Sequence, residues 1–222
     1  MESDCHSIDR VEVRSTGTGR RQAANRVDDA DLLRAARECV LANGVRRTTL
    51  TEVARTAGVS RMTLYRRFPD VGSMVTTLVT VEFGEVLEKA HRAAGTGDAR
   101  TRLVNGMVRG IRLLHEAPLL QRVLDTDAEL LLPYLVERLG STQIAADGFL
   151  REFLKAGHAD GSIRPGDVAV QARSLLLLTQ SFVISAGPAS QDLDLDALTD
   201  ELALLLDGAL RPEGALQPRS PA

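Results

Sequence analysis

Between Thr48 and Pro69 the chain has room for only two short helices and a tight turn. Thr49 and Glu52 have the S/T-x-x-E spacing of a capping box, so a helix is predicted from about Leu50 through Val53 and Ala54 to Ala57. Gly58 stops it, and after Val59 a second cap, Ser60, starts a helix from Arg61 to about Phe68. Pro69 and Asp70 then break the chain. Two short helices joined by a three-residue turn make a helix-turn-helix when their contact positions allow close packing. Ala54 is small where the helices touch, Gly58 supplies the positive φ of the turn, and Val59 and Leu64 are apolar where the second helix packs inward.

The residues left facing outward on that second helix are Arg61, Met62, Thr63, Tyr65, Arg66 and Arg67, and their chemistry suits DNA. An arginine near the helix start can fork onto guanine O6 and N7, Met62 and the Thr63 methyl can touch a thymine methyl, and Tyr65 can donate to a phosphate. Charge agrees. The net formal charge of −3 conceals an asymmetry: residues 20–67 sum to +6, where 11 arginines face Asp28, Asp29, Asp31, Glu38 and Glu52, and the chain after Val71 sums to −6. A basic front on an acidic body directs the front toward a polyanion. Lys89 and Lys155 are the only lysines, and two readings of that bias stay open: a GC-rich genome, or a preference for forked donors.

Residues 1–27 carry no sustained apolar period and are expected to form a flexible arm. Its arginines, Arg10, Arg14, Arg20, Arg21 and Arg26, either lie in a minor groove or along phosphates, or belong to a solvated tail. A first helix follows, with Leu32, Ala36, Cys39 or Val40, and Asn43 on one face, acidic residues at its start and Gly44 at its end. After Pro69, Met74, Leu78 and Val81 with Val75, Val79, Phe83, Val86 and Ala90 form two adjacent apolar stripes, as expected of a helix that connects domains. The remainder reads helical, with breaks at Gly95 to Asp98, around Pro118 and Pro133, at Gly157 to Gly166, at Gly187-Pro188 and at Pro212. Segments of about 133–157, 167–186 and 193–209 are predicted as bundle helices. The expected class is all-α: an arm (1–27), a helix-turn-helix DNA-binding domain (28–74), a ligand-binding and dimerisation domain (75–210) and a disordered tail (211–222). No stretch is read as a membrane span or a signal peptide, so a cytoplasmic location is expected.

The run Gly58-Val59-Ser60-Arg61-Met62-Thr63-Leu64-Tyr65-Arg66-Arg67-Phe68 resembles the recognition segment of the tetracycline-repressor (TetR) family. Upstream, Leu32, Ala35, Ala36 and Gly44, then Thr49, Val53 and Ala54, are similar to the family's first two helices. The resemblance spans about Leu32 to Met74. It implies base-edge contacts from Arg61, Met62, Thr63 and Arg67, with Ser60 at the same helix start, and phosphate contacts from Thr49, Tyr65 and Arg66. It also implies a helical body that dimerises through its last two long helices and encloses a small-molecule pocket. Two positions depart from the family pattern. Met62 stands where a small residue or proline is usual, and Val71 stands where a lysine near the DNA backbone is common; Arg46, Arg47 or the arm are the candidates to compensate.

The expected partners are therefore double-stranded DNA carrying an inverted-repeat operator, a second copy of the chain, and a small effector. Polar or aromatic residues within apolar helices supply the candidate effector contacts: His115, Tyr134, Phe149, Phe153, Gln180 and Phe182. With seven aromatic residues in all, the pocket is expected to be lined by aliphatic side chains and to suit a hydrophobic effector. No enzyme is expected, since no nucleophile with a base, carboxylate pair or phosphate loop is found. His6, His91, His115 and His158 lack metal spacing, and neither a metal nor a cofactor is expected. Cys5 and Cys39 are too few for a disulfide framework. The alternative function is a helical interaction protein whose DNA binding is weakened through Met62 and Val71.

Overall fold

Most helices begin where a short polar side chain accepts a backbone N–H that has no partner within the helix. A computed structural model describes residues 28–131, 133 and 137–212; the arm, Tyr134 and the tail beyond Pro212 lie outside the described residues. The helices are α1 (Asp29–Asn43), α2 (Leu50–Thr56), α3 (Arg61–Tyr65), α4 (Val71–Ala93), α5 (Ala99–His115), α6 (Pro118–Thr126), α7 (Ser141–Asp160), α8 (Val168–Ala189) and α9 (Leu195–Leu210), with a 3-10 turn at Ala128–Leu131. There is no strand among the described residues, and the fold is all-α. Thr49, Ser60, Asp70, Asp98, Asp167 and Asp194 cap their helices through side-chain oxygens. The capping box at α2 is only half made. Thr49 accepts from Glu52 N–H at 3.2 Å, but the Glu52 carboxylate accepts from Asn43 Nδ2 at 2.8 Å and ties α2 to the end of α1.

Several predicted boundaries move. The α3 helix ends at Tyr65 rather than Phe68, with Arg66 and Arg67 in a turn. The helix expected over 133–157 begins at Ser141 and runs to Asp160. It passes through Gly157 because that glycine serves space rather than a break: a Cβ there would lie 2.3 Å from Ile163 Cδ1. Gly187-Pro188 likewise falls within the last turn of α8. There proline's lost N–H and ring clash affect only the helix end.

Two hydrophobic cores form, joined by α4 and α6. The first packs Leu32, Ala36 and Val40 of α1 against Val53, Leu64 and Phe68, and includes Met74 and Leu78 of α4 with Leu119 and Val123 of α6. The second surrounds α5, whose Leu103, Met107 and Ile111 meet Leu150, Phe153 and Leu154 of α7, Leu175 and Leu176 of α8, and Leu202 and Leu206 of α9. Arg112 pins α9 to α5, donating from Nε to Thr199 Oγ1 at 2.8 Å and pairing with Asp196 and Asp200. Buried Asp147 on α7 accepts from Arg151 and from Arg173 of α8. The hydrogen bond from Arg151 leads in holding its carboxyl below the ordinary value. Cys39 is a buried free thiol beside Thr56.

The expectation of no membrane-length apolar stretch does not hold for α8. Its 22 residues reach a mean hydropathy of 1.3 over an 18-residue window, enough by length and composition to cross a membrane. Apolar residues on two sides of the helix produce that average. Leu175 and Leu176 enter the second core, whereas Leu177 and Leu178 face outward.

Gly58 adopts φ +67 between α2 and α3, and Val59 N–H donates to Ala54 C=O at 2.9 Å to close the turn. Nothing lies within 4 Å of a Cβ built there, so the glycine answers the backbone alone. Gly58→Ala is expected to cost about 1 kcal/mol in a urea titration. A neutral result would show that the turn tolerates a side chain.

Candidate nucleic-acid interface and interior cavity

The α3 helix is short, and its single fully buried side chain, Leu64, holds it against α1 and α2. Everything around that anchor points outward. Arg61, Tyr65, Arg66 and Arg67 are exposed, Met62 is 70% exposed at the helix tip, and Thr63 is half-buried. Ser60 Oγ accepts from Thr63 N–H at 3.1 Å and lies 2.9 Å from Thr63 Oγ1, so both hydroxyls are set by the cap. Thr49, also a cap, is exposed at the start of α2. Among the described residues Arg47, Arg55, Arg61 and Arg66 have no carboxylate within ion-pair distance, which leaves positive charge uncompensated before α2, on α2 and on and after α3. Arg67 differs: it pairs with Asp29 at 2.7 Å and braces α3 against the start of α1.

The two departures from the family pattern resolve differently. Val71 is the first residue of α4 and packs partly buried against the first core, where a lysine would lose its solvation. Arg46 is occupied by acids, pairing with Glu129 and lying 3.8 Å from Asp127. Of the two arginines considered as compensation within the described residues, Arg47 alone stands without a carboxylate.

The arrangement around Arg46 also ties the interface to the body. Asp127, 2% exposed at the end of α6, accepts from the backbone N–H of Val45 at 2.9 Å, from that of Arg46 at 3.4 Å and from Thr126 Oγ1 at 2.8 Å. Burial by itself would raise its carboxyl. The hydrogen bonds from Thr126, Val45 and Arg46, with the Arg46 charge, outweigh that and hold it below the ordinary 3.8. Gly44 makes room for this contact: at φ +78, a Cβ there would meet Asp127 Oδ2 at 3.0 Å.

Behind the interface, a largely apolar cavity of about 830 Å³ is bounded by α4, α5, α6, α7 and α8. One apolar stripe of α4 forms its long wall, through Val75, Val79, Phe83, Val86 and Ala90. The other enters the first core through Met74 and Leu78, except that Val81 is exposed. Glycines at 106 and 110 on α5 let Ala90 approach closely. Of the candidate effector contacts, Phe149, Phe153 and Gln180 line the cavity, whereas His115 and Phe182 do not. The His115 ring instead meets Phe182 C=O at 3.0 Å, and Phe182 packs on the second core. Tyr134 lies outside the described residues. Sequence reasoning missed Gln143, which donates from Nε2 to Gln180 Oε1 at 2.6 Å, and Arg102, because neither sits in a recognisable pattern.

Comparison with known proteins agrees with this geometry. The family described as bacterial regulatory proteins, tetR family, matches residues 32–71. An uncharacterized HTH-type transcriptional regulator of Mycobacterium tuberculosis (strain H37Rv) is 38% identical over 179 residues, covering 81% of this chain and 92% of that protein. A regulator of the same description from Mycobacterium bovis matches to the same extent. Among solved structures, the fatty acid degradation regulator FadR of Bacillus halodurans superposes with a TM-score of 0.63 at 20% identity, covering 82% of this chain and 96% of that one. FadR of Bacillus subtilis in complex with stearoyl-CoA gives 0.62 at 18%, covering 83% and 100%. With a helix-turn-helix matched by the family and relatives aligned over most of their length, the chain belongs to the TetR family of bacterial regulatory proteins and is a DNA-binding regulator of transcription, not an enzyme.

Proposed function

We propose that this regulator is a cytoplasmic repressor that binds an inverted-repeat operator as a homodimer and leaves it when a small, mainly hydrophobic effector fills the cavity. Residues 28–74 then read DNA, and residues 75–210 bind effector and dimerise. The observation that carries the reading is the extent of the cavity wall. It includes Val86 and Ala90 beside the second core, and also Val75, Gly72, Val45 and Arg37 at the base of the helix-turn-helix. An occupant would press on the helix that carries the interface, and Arg37 Nε already donates to Glu82 of α4 at 2.7 Å. Effector and operator then weaken each other's binding by the same factor. The bound stearoyl-CoA of the Bacillus subtilis protein supports an apolar chain as occupant of this fold. For the dimer, support comes from α8 and α9, which leave Val170, Leu177, Leu178, Leu204 and Leu205 exposed. A monomer rarely leaves so many large apolar side chains on neighbouring helices uncovered.

Selection of bound duplexes from a random library, at a stated moderate salt concentration, tests the DNA reading. An inverted repeat is expected, and Arg61→Ala should weaken binding to it by about 1 to 3 kcal/mol while relaxing base preference at one position of each half-site. Recovery of no consensus would favour a helical interaction protein in which exposed Met62 and inward-turned Val71 have cost the helix-turn-helix its reading function.

A further inference from the structure

The charged groups on the cavity wall are nearly all matched. Arg37 pairs with Glu82 at 2.7 Å, Lys89 with Glu85 at 3.9 Å, and Glu116 lies 4.0 Å from Arg109. Arg102 is the exception. It lines the cavity, is half-buried, and among the described residues has no carboxylate within ion-pair distance. Its guanidinium carbon sits 5.4 Å from the ring centroid of Phe153. Asp160 is near enough to feel its charge, but that carboxylate already accepts from the backbone N–H groups of Ala99 and Ser162.

Gly106 of α5 faces Ala90 and Ala94 of α4, so Arg102, one turn earlier, stands at the end of the cavity far from the helix-turn-helix. From Ala90, the last α4 residue of the wall, back to Val75 is 15 residue steps, about 23 Å of helix, and its cavity-facing side is mainly apolar. A cation at one end of a long apolar groove is complementary to a ligand with an anion at one end of a long apolar chain. A neutral ligand would desolvate the guanidinium and return nothing to it.

We propose that the effector is an anionic amphiphile whose acidic head is held by Arg102 and whose chain runs along α4 toward Val75. This rests on the reading of the cavity as the effector site. A free carboxylate and the phosphates of a coenzyme A thioester share the required chemistry.

Isothermal titration of the full chain with dodecanoate, dodecanoyl-CoA and dodecanol, each below its micelle concentration, separates the possibilities. At least one anion should bind about 10- to 100-fold more tightly than dodecanol. The tighter of the two anions identifies the natural head as a free acid or a thioester. Arg102→Gln should bring that anion down to the affinity of dodecanol and leave dodecanol bound at least as tightly as before, which also shows that the variant is folded; Arg102→Lys should restore part of the difference. Equal binding of dodecanol and both anions, or an undiminished preference in Arg102→Gln, would overturn the assignment of the head group while leaving a hydrophobic effector intact. No binding by any of the three would overturn both readings.

Discussion

Asp127→Ala is expected to destabilise the protein by about 3 kcal/mol in urea unfolding at neutral pH. The substitution removes the acceptor for two backbone N–H groups beside a carboxylate that is 2% exposed, whereas the Thr126 hydroxyl keeps Arg122 C=O at 2.7 Å; each N–H left unsatisfied costs on the order of 1 to 3 kcal/mol. Those two N–H groups belong to the segment between α1 and α2, so weaker operator binding should accompany the loss. The pH dependence has a definite sign. The folded carboxyl titrates below 3.8 and the unfolded one near it, so the unfolded chain takes up the proton first as pH falls. The contribution of Asp127 is therefore complete above the ordinary carboxylate value and disappears as pH drops through the folded one. Asp127→Asn should shallow the acid limb of a stability-against-pH curve relative to the parent chain. An unchanged limb in that variant, or a loss under about 0.5 kcal/mol in Asp127→Ala, would show that the α6 contact is incidental.

Pairing Leu177→Arg with Leu204→Arg is expected to give a folded monomer by sedimentation and to weaken operator binding by about 10²- to 10⁴-fold. Both leucines are mostly exposed, 57% and 69%, so the substitutions touch neither core and the thermal transition of the single chain should survive. The size of the DNA effect follows from valence. A dimer that has placed one recognition helix brings the second to its half-site at high effective concentration, and a monomer forfeits that gain. A variant that stayed dimeric would move the interface away from α8 and α9. One that became monomeric yet kept full affinity would remove the need for an inverted repeat.

The helix-turn-helix was legible before any coordinates because its determinants are local. Thr49 and Ser60 cap their helices by accepting the N–H three residues ahead, Gly58 takes the positive φ that a short turn requires, and Leu64 is the buried apolar position of a five-residue helix. The two stripes of α4 were likewise readable from a 3.6-residue period. Errors arose where a local signal had a second meaning. Gly157 looked like a break but clears Ile163, and Glu52 looked like the second half of a capping box but serves Asn43. In the body, composition suggested an aliphatic cavity, yet among its candidate contacts Phe149, Phe153 and Gln180 reach the wall while His115 turns to a backbone carbonyl.

The sequence by itself determined the helical class, the position of the short helix α3 and the sign of the charge around it, because caps, glycines and periodicity act over three or four residues. Tertiary structure alone decided which residues meet across the chain: Asp127 with Val45, Arg37 with Glu82, and Arg102 at the far end of the cavity, with no carboxylate among the described residues within ion-pair distance. Such partners are chosen by how the two cores pack around α4 and α5. A buried acid or an unmatched arginine reads like any other charge until the fold removes water from it.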